Sequence, residues 1–275
     1  GTAGAATTIT IPYDAPNTIY YHCSAHSGMG ADITGITTNE QLADQYASNC
    51  VIALPLVGAN SDVCASIACT ATTKAMTNVG NAAASSDTSN FYSGSFEFDG
   101  SGDRVTAPAG ADFAFGTGDF TIETWMNFST VSSSADHVIV DFRPANSAYT
   151  DTFTFSTDTN NGFKIYTNDN LALGGNAPAV GKWHHIALVR NSGALQVFVD
   201  GIGAGSVSSG HAANDFSRNG AFKLGGLADG AASFTGYQSD VRIYKGIAKY
   251  TSDFVVPSRS PDILPDTPSG VSGSS

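Results

Sequence analysis

The sequence predicts an all-β fold, and three observations carry that prediction. Short runs alternate apolar and polar residues with a period of two. Gly, Asn, Asp and Ser punctuate these runs at intervals of roughly 8–12 residues. No stretch sustains the 3.6-residue rhythm of a long amphipathic helix.

Taken in order, the chain opens with a small β-rich segment over residues 1–35. Thr8-Ile9-Thr10-Ile11 alternates, Pro12 and the turn-forming Asp14-Ala15-Pro16-Asn17 interrupt, and Thr18 to Cys23 reads as a second strand. Residues 36–50 read as a linker with at most a short helix between Ile36 and Ser48. From Val51 the alternating pattern becomes uniform, and residues 51–259 are expected to form one sandwich. Phe96 and Phe98 point one way while Ser95, Glu97 and Asp99 point the other. Phe120, Ile122, Thr124, Met126 and Phe128 alternate with Thr121, Glu123, Trp125 and Asn127. Leu195, Val197 and Val199 lead into Asp200-Gly201, a dipeptide suited to a tight hairpin. Val241 and Ile243 alternate with Arg242 and Tyr244. Residues 257–275 hold Pro257, Pro261, Pro265 and Pro268 and end in Ser-Gly-Ser-Ser, so the stretch from 260 to 275 reads as a linker or tail.

Composition narrows the function. Apolar residues make up 41% of the 275, enough for a proper core, while charged residues make up only 13%. That is about half the usual charged share, so Ser, Thr, Asn and Gly must cover the surface, as suits a secreted or virion protein. The net charge of −12 disfavours binding to phosphate backbones and anionic membranes. No apolar run approaches the roughly 18 residues that span a bilayer, so membrane insertion is not expected. The chain begins Gly1-Thr2-Ala3-Gly4 and reads as a processed product or a fragment. The four cysteines are Cys23, Cys50, Cys64 and Cys69. In an extracellular chain an even count favours two disulfides, with three pairings open. Cys64–Cys69, closing a short loop, and Cys23–Cys50, tying the first segment to the sandwich, are the expected pairs. Four free thiols in a reducing compartment are the alternative.

Five blocks carry a resemblance. Ser95 to Val105 (SFEFDGSGDRV) and Gly118 to Trp125 (GDFTIETW) resemble early strands of laminin-G-like domains. Lys182 to Arg190 (KWHHIALVR), Gln196 to Gly201 (QVFVDG) and Phe234 to Tyr244 (FTGYQSDVRIY) resemble later ones, in the family's order. The set is similar to laminin-G-like, concanavalin A-like lectin domains, in particular to modules of large virion or surface proteins of marine phages and bacteria. The resemblance implies an antiparallel jelly-roll sandwich that binds glycans. It also points to a structural Ca²⁺ held by Asp99, the carbonyl of Gly100 and Asp240. Against that set, Asp99 and Asp103 suit turn caps, and Asp240 suits an ion pair with a neighbouring Arg or Lys.

Other constellations are incomplete. Cys23-x2-His26-x2-Met29 resembles the ligand loop at the C-terminal end of a cupredoxin, but a blue-copper site needs a second His from an earlier strand. His22 adjoins Cys23 and faces the opposite way on a strand, so copper is not expected. Glucanases of this fold carry Glu-x-Asp-x-x-Glu or Glu-x-Asp-x-Glu. Here Glu97-Phe98-Asp99 is followed by Ser101 and Gly102, so the second carboxylate of a retaining pair is missing and no enzyme is expected. His184 and His185 are adjacent and cannot share one metal. Trp125 and Trp183 are expected in core or inter-sheet packing, with Tyr149, Tyr166 and Tyr237 as eligible sugar-stacking rings. The expected function is therefore a non-catalytic carbohydrate-binding or adhesion module of a larger extracellular or virion assembly. The alternative is a decoration, fibre or filament subunit whose interfaces are with neighbouring subunits.

Overall fold

A computed structural model describes residues 19–22, 30–33, 44, 46–67, 69–90, 94–132, 135–143, 153–160, 162–167, 169–208, 212–217 and 220–256. The chain divides into two compact units, Gly1–Ala43 and Asp44–Ser275. In the first, β1 (Ile19–His22) pairs antiparallel with β2 (Gly30–Ile33). The strand expected over Thr18–Cys23 is present, but its partner follows it in sequence. Thr8–Ile11 lies outside the described residues.

The second unit is a sandwich of fifteen strands in the described residues. They run β3 (Cys50–Leu54), β4 (Thr77–Val79), β5 (Ala83–Ser85), β6 (Ser95–Asp99), β7 (Arg104–Ala107), β8 (Phe120–Phe128), β9 (His137–Asp141) and β10 (Thr154–Asp158). There follow β11 (Gly162–Thr167), β12 (Asp169–Gly174), β13 (Trp183–Asn191), β14 (Ala194–Val199), β15 (Ile202–Ser208), β16 (Phe222–Leu224) and β17 (Thr235–Lys245). One sheet has the order β12-β11-β10-β9-β16-β7-β4, and the other β15-β14-β13-β8-β17-β6-β5 with β3 also paired to β17. Every pairing is antiparallel.

The hairpin turns follow from residue type. Asp200 and Gly201, at φ 52° and 80°, form the two-residue loop between β14 and β15. Two successive positive φ angles match the twist of the flanking strands, and Asp-Gly tolerates them.

The core lies between the sheets and is rich in phenylalanine. Phe120, Ile122, Met126 and Phe128 of β8 face it together with Phe96 and Phe98 of β6 and Ile243 of β17. Phe153 sits at the centre of one aromatic cluster, its ring centroid 5.0–5.7 Å from those of Phe115, Phe120, Phe142 and Phe216. Phe98, Phe128 and Phe234 form a second cluster.

The sandwich begins earlier than Val51. Asp44 accepts hydrogen bonds from Arg242 Nη1 at 3.3 Å and from the Tyr244 hydroxyl. Ala47–Asn49 form a single 3₁₀ turn, and Cys50 starts β3. The end of the expected linker thus belongs to the domain. The eleven-residue β17 explains how β3 fits. Its first half pairs with β6, through Gln238, and its second half with β3, from Val241. Between them a bulge interrupts the pairing with β8, and Asp240 takes φ 47° while its N–H donates to Pro55 O at 2.9 Å. Among the described residues no helix is long and apolar enough to cross a membrane.

Candidate functional site

The alternation that sends Phe120, Ile122, Met126 and Phe128 into the core sends Glu123, Trp125 and Asn127 to the outer face of the eight-stranded sheet. That face has two parts of opposite character. One part is sealed. Ala187, Val189 and Phe198 are covered by Ala248, Tyr250 and Phe254 from the segment after β17. This strap is held by Phe254 N donating to Gly201 O and Gly203 N donating to Asp253 Oδ1, both at 2.9 Å, and by the stacked rings of Tyr250 and Phe254, 3.6 Å apart.

Beneath the strap lies a buried ionic network. Glu123 accepts from Lys249 Nζ at 2.5 Å and from the Tyr250 hydroxyl at 2.7 Å, with His185 Nε2 at 3.7 Å. Lys249 also reaches the Tyr244 hydroxyl at 3.1 Å, and Arg242 bridges Asp240 at 3.0 Å and Asp44 at 3.3 Å. Burial opposes ionisation of Glu123, but Lys249 foremost, then His185 and Arg242, hold its carboxyl down at about 2. Burial lowers His185 against the pull of Glu123 and Asp240, favouring the neutral imidazole.

The other part presents a row of aromatic and amide groups. In the ladder Trp183 of β13 lies opposite Asn127 of β8, Asn127 opposite Tyr237 of β17, and Tyr237 opposite Glu97 of β6. With strands about 4.8 Å apart, the row spans about 14 Å, the length of a short oligosaccharide. Trp183, Tyr237 and Glu97 are partly exposed, as is Trp125 one row along, opposite His185 and Ser239, while Asn127 between Trp183 and Tyr237 is buried, 8% exposed. The loop between β5 and β6 borders this row. Trp183 Nε1 donates to Thr88 Oγ1 at 3.2 Å, Ser95 Oγ donates to Thr88 O at 2.6 Å, and the Tyr237 hydroxyl donates to Glu97 Oε1 at 3.5 Å. Partial burial, then the negative charges of Glu97 and Asp87, raise the Tyr237 phenol, so it stays a neutral donor. Two tryptophan faces and a tyrosine, flanked by amide, carboxylate and hydroxyl groups, can stack on sugar rings and hydrogen-bond their hydroxyls.

The structure redistributes several expected site residues. Trp125 and Trp183, expected in the core, face away from it. Asp99 and Asp240 are not brought together. Asp99 lies opposite Thr235, and Asp240 is five residues further along β17, roughly 16 Å of strand rise away. Asp99 Oδ1 accepts from Ser101 N at 2.7 Å and its Oδ2 from Asn81 Nδ2 at 3.0 Å, while Asp103 accepts from the N–H groups of Asn81 and Asp99. Asp240 instead pairs with Arg242. Gly100, at φ 83°, would drive a Cβ to 2.1 Å from Thr235 Oγ1, so its glycine serves close packing. Asp99, Gly100 and Asp240 therefore do not form one calcium site. His184 and His185 point apart. His184 Nδ1 lies 2.7 Å from Asp200 Oδ2, and His185 is buried under the strap. Tyr166 carries the Lys164 ammonium over its ring. Cys23, His26, Met29 and Tyr149 lie outside the described residues. Cys50, Cys64 and Cys69 lie together, their sulfurs all within 4.8 Å of one another, and Cys23, the expected partner of Cys50, lies outside the described residues.

The laminin G family described as the concanavalin A-like lectin/glucanases superfamily matches residues 99–248, more than half of the chain. The chain belongs to this concanavalin A-like lectin/glucanase superfamily. Among solved structures, this lectin-like chain is similar to the binding domain of Paraclostridial Mosquitocidal Protein 1, with a TM-score of 0.56 and 11% identity over 74% of this chain and 50% of that one. It is also similar to the binding domain of botulinum neurotoxin serotype G, at TM-score 0.53 and 12% identity over 74% and 49% of the two chains. A third likeness, at TM-score 0.51 and 14% identity over 74% and 49%, is to botulinum neurotoxin type C, whose cell entry depends on interaction with two ganglioside molecules. The chain thus spans about half the length of these domains. No curated protein matches it in sequence.

Proposed function

We propose that this chain is a non-catalytic carbohydrate-binding module of a larger extracellular or virion assembly, and that the row Trp183, Asn127, Tyr237 and Glu97, with Trp125 beside it, holds the glycan. The observation that carries this is the contrast across one sheet face, where a strap seals the ionic half while the aromatic half stays partly exposed. Ganglioside recognition by a neighbour of the same fold supports the ligand class. The Glu97-Phe98-Asp99 stretch without its second glutamate supports binding over hydrolysis.

A glycan array with the whole chain, in Ca²⁺ and in EDTA, tests the proposal. Specific binding that survives EDTA and falls at least roughly 30-fold in Trp183→Ala, a hot-spot loss of about 2 kcal/mol, is the expected result. Silence of the folded protein on the array, or unchanged binding in Trp183→Ala and Tyr237→Ala, would overturn it.

The β1–β2 pair favours a second role as a structural subunit. Among the described residues β1 and β2 form a two-stranded sheet, a size that is marginally stable by itself in water, and strand addition from a neighbour's sheet would extend it. Deleting residues 1–35 is then expected to abolish assembly while leaving glycan binding intact, as light scattering and the same array would show.

A further inference from the structure

Three of the four cysteines converge at a place the glycan row does not use. Cys50 opens β3, and Cys64 and Cys69 lie on and just after the 3₁₀ turn Cys64–Ile67. Their three sulfurs all lie within 4.8 Å of one another. The surroundings are apolar, made by Ala53, Val63, Tyr46, Tyr244 and Ile247, and Cys50 and Cys64 are fully buried while Cys69 is partly exposed.

The loop that brings them together is firmly built. Buried Asp62 accepts from the N–H groups of Ala53 and Cys64, each at 3.1 Å, and of Lys74 at 2.8 Å, pinning both ends of the loop to β3. Val63 N donates to Ala53 O at 2.9 Å, Cys69 N donates to Cys64 O at 3.1 Å, and Thr70 Oγ1 donates to Ser48 O at 2.9 Å. Cys64-x4-Cys69 falls within the spacing of a zinc-binding turn, and the third thiol comes from a neighbouring strand.

We infer that Cys50, Cys64 and Cys69 form a three-thiolate site for a thiophilic d¹⁰ ion, Zn²⁺ in the first instance. Three thiolates about 2.3 Å from one ion sit roughly 4 Å from each other, a separation the cluster reaches with little movement. A disulfide needs sulfurs about 2.05 Å apart and joins only two of these three, whereas one ion takes all three. Binding releases the thiol protons to solvent. The partly exposed Cys69 side gives the ion an entry, and solvent completes its shell there.

The test uses the whole chain purified under reducing, oxygen-free conditions and titrated with Zn²⁺, and with Co²⁺ as a spectroscopic stand-in. One equivalent bound per chain, with thiolate-to-Co²⁺ charge-transfer absorption, is expected. Cys69→Ser, at the partly exposed position, should weaken Zn²⁺ binding at least tenfold while keeping the wild-type circular dichroism; Cys64→Ser should do the same or more. Absence of stoichiometric uptake, or uptake unchanged in Cys69→Ser, would overturn the inference. So would the intact mass of protein purified with Zn²⁺ present, if it showed two of the three thiols joined as a disulfide. Glycan binding is read separately on the same samples, so failure of the metal site leaves the proposed function standing or falling on its own data.

Discussion

Lys249→Met is expected to destabilise the sandwich by about 3–5 kcal/mol, measured by urea unfolding at neutral pH. The lysine is the nearest cation to Glu123, whose side chain is only 6% exposed, and the methionine stem fills much of the same space without the charge. What remains is a buried carboxylate with the Tyr250 hydroxyl, His185 at 3.7 Å and the charge of Arg242, and a buried charge stripped of its closest partner costs far more than a surface ion pair contributes. The double variant Glu123→Leu with Lys249→Met should recover most of the loss, because removing both charges leaves nothing unpaired. A double variant no better than Lys249→Met would show that the loss comes from the packing of the lysine side chain rather than from an unpaired carboxylate.

The same network sets the acid limit. Glu123 is held at about 2 against an ordinary 4.5, so the unfolded chain takes up that proton first as pH falls. Its contribution is fully present above about pH 4.5 and is lost as pH drops towards 2, on the order of 3 kcal/mol in all. His185 acts over a higher window. Its folded form is lowered by burial, so the unfolded chain binds this proton more tightly, and stability declines as pH falls below about 6.5. In Lys249→Met, Glu123 loses its strongest cationic partner, so the carboxylate step of the acid transition should move to higher pH.

Much of this architecture was legible in the alternation itself. The period of two along β8 places Phe120, Ile122, Met126 and Phe128 inside, and the two-residue Asp200-Gly201 turn needs positive φ angles that those residues tolerate. The same alternation also placed Trp125 in one row with Glu123 and Asn127, on the face away from the core. The expectation of core or inter-sheet packing for Trp125 runs against that alternation. Trp183 is harder to place, because only the register opposite Asn127 puts it in one row with Tyr237, two strands away, and strand register between distant segments is not written in either segment.

The calcium set failed for a related reason. Asp240 and Arg242 are two apart on one strand, spaced to face the same side and pair with each other. The bulge at Asp240 comes from a change of neighbour, from β6 to β3, that only the assembled sheet defines. The strap was missed because Tyr250 and Phe254 are four apart in a stretch without strand alternation, and their stack depends on the β14–β15 turn beneath them. The cysteine cluster joins β3 to a loop fourteen residues later, and nothing local in the chain announces that contact.

Phe153→Ala should cost about 3–5 kcal/mol, because it empties the centre of a ring cluster. Phe115, Phe120, Phe142 and Phe216 all touch this one side chain, and they come from different segments around one end of the sandwich, so the cavity cannot collapse by moving a single element. Trp183→Ala, by contrast, removes a partly exposed ring from the outer face and is expected to change stability by no more than about 1 kcal/mol. The two substitutions therefore separate fold from recognition. Urea unfolding should report Phe153→Ala and barely register Trp183→Ala, while glycan affinity measured below the transition should show the reverse. If Phe153→Ala instead weakened glycan binding at temperatures where the protein is folded, the row on the outer face would depend on the core behind it, and Trp183, Asn127, Tyr237 and Glu97 would be held by sheet curvature rather than by their own ladder positions.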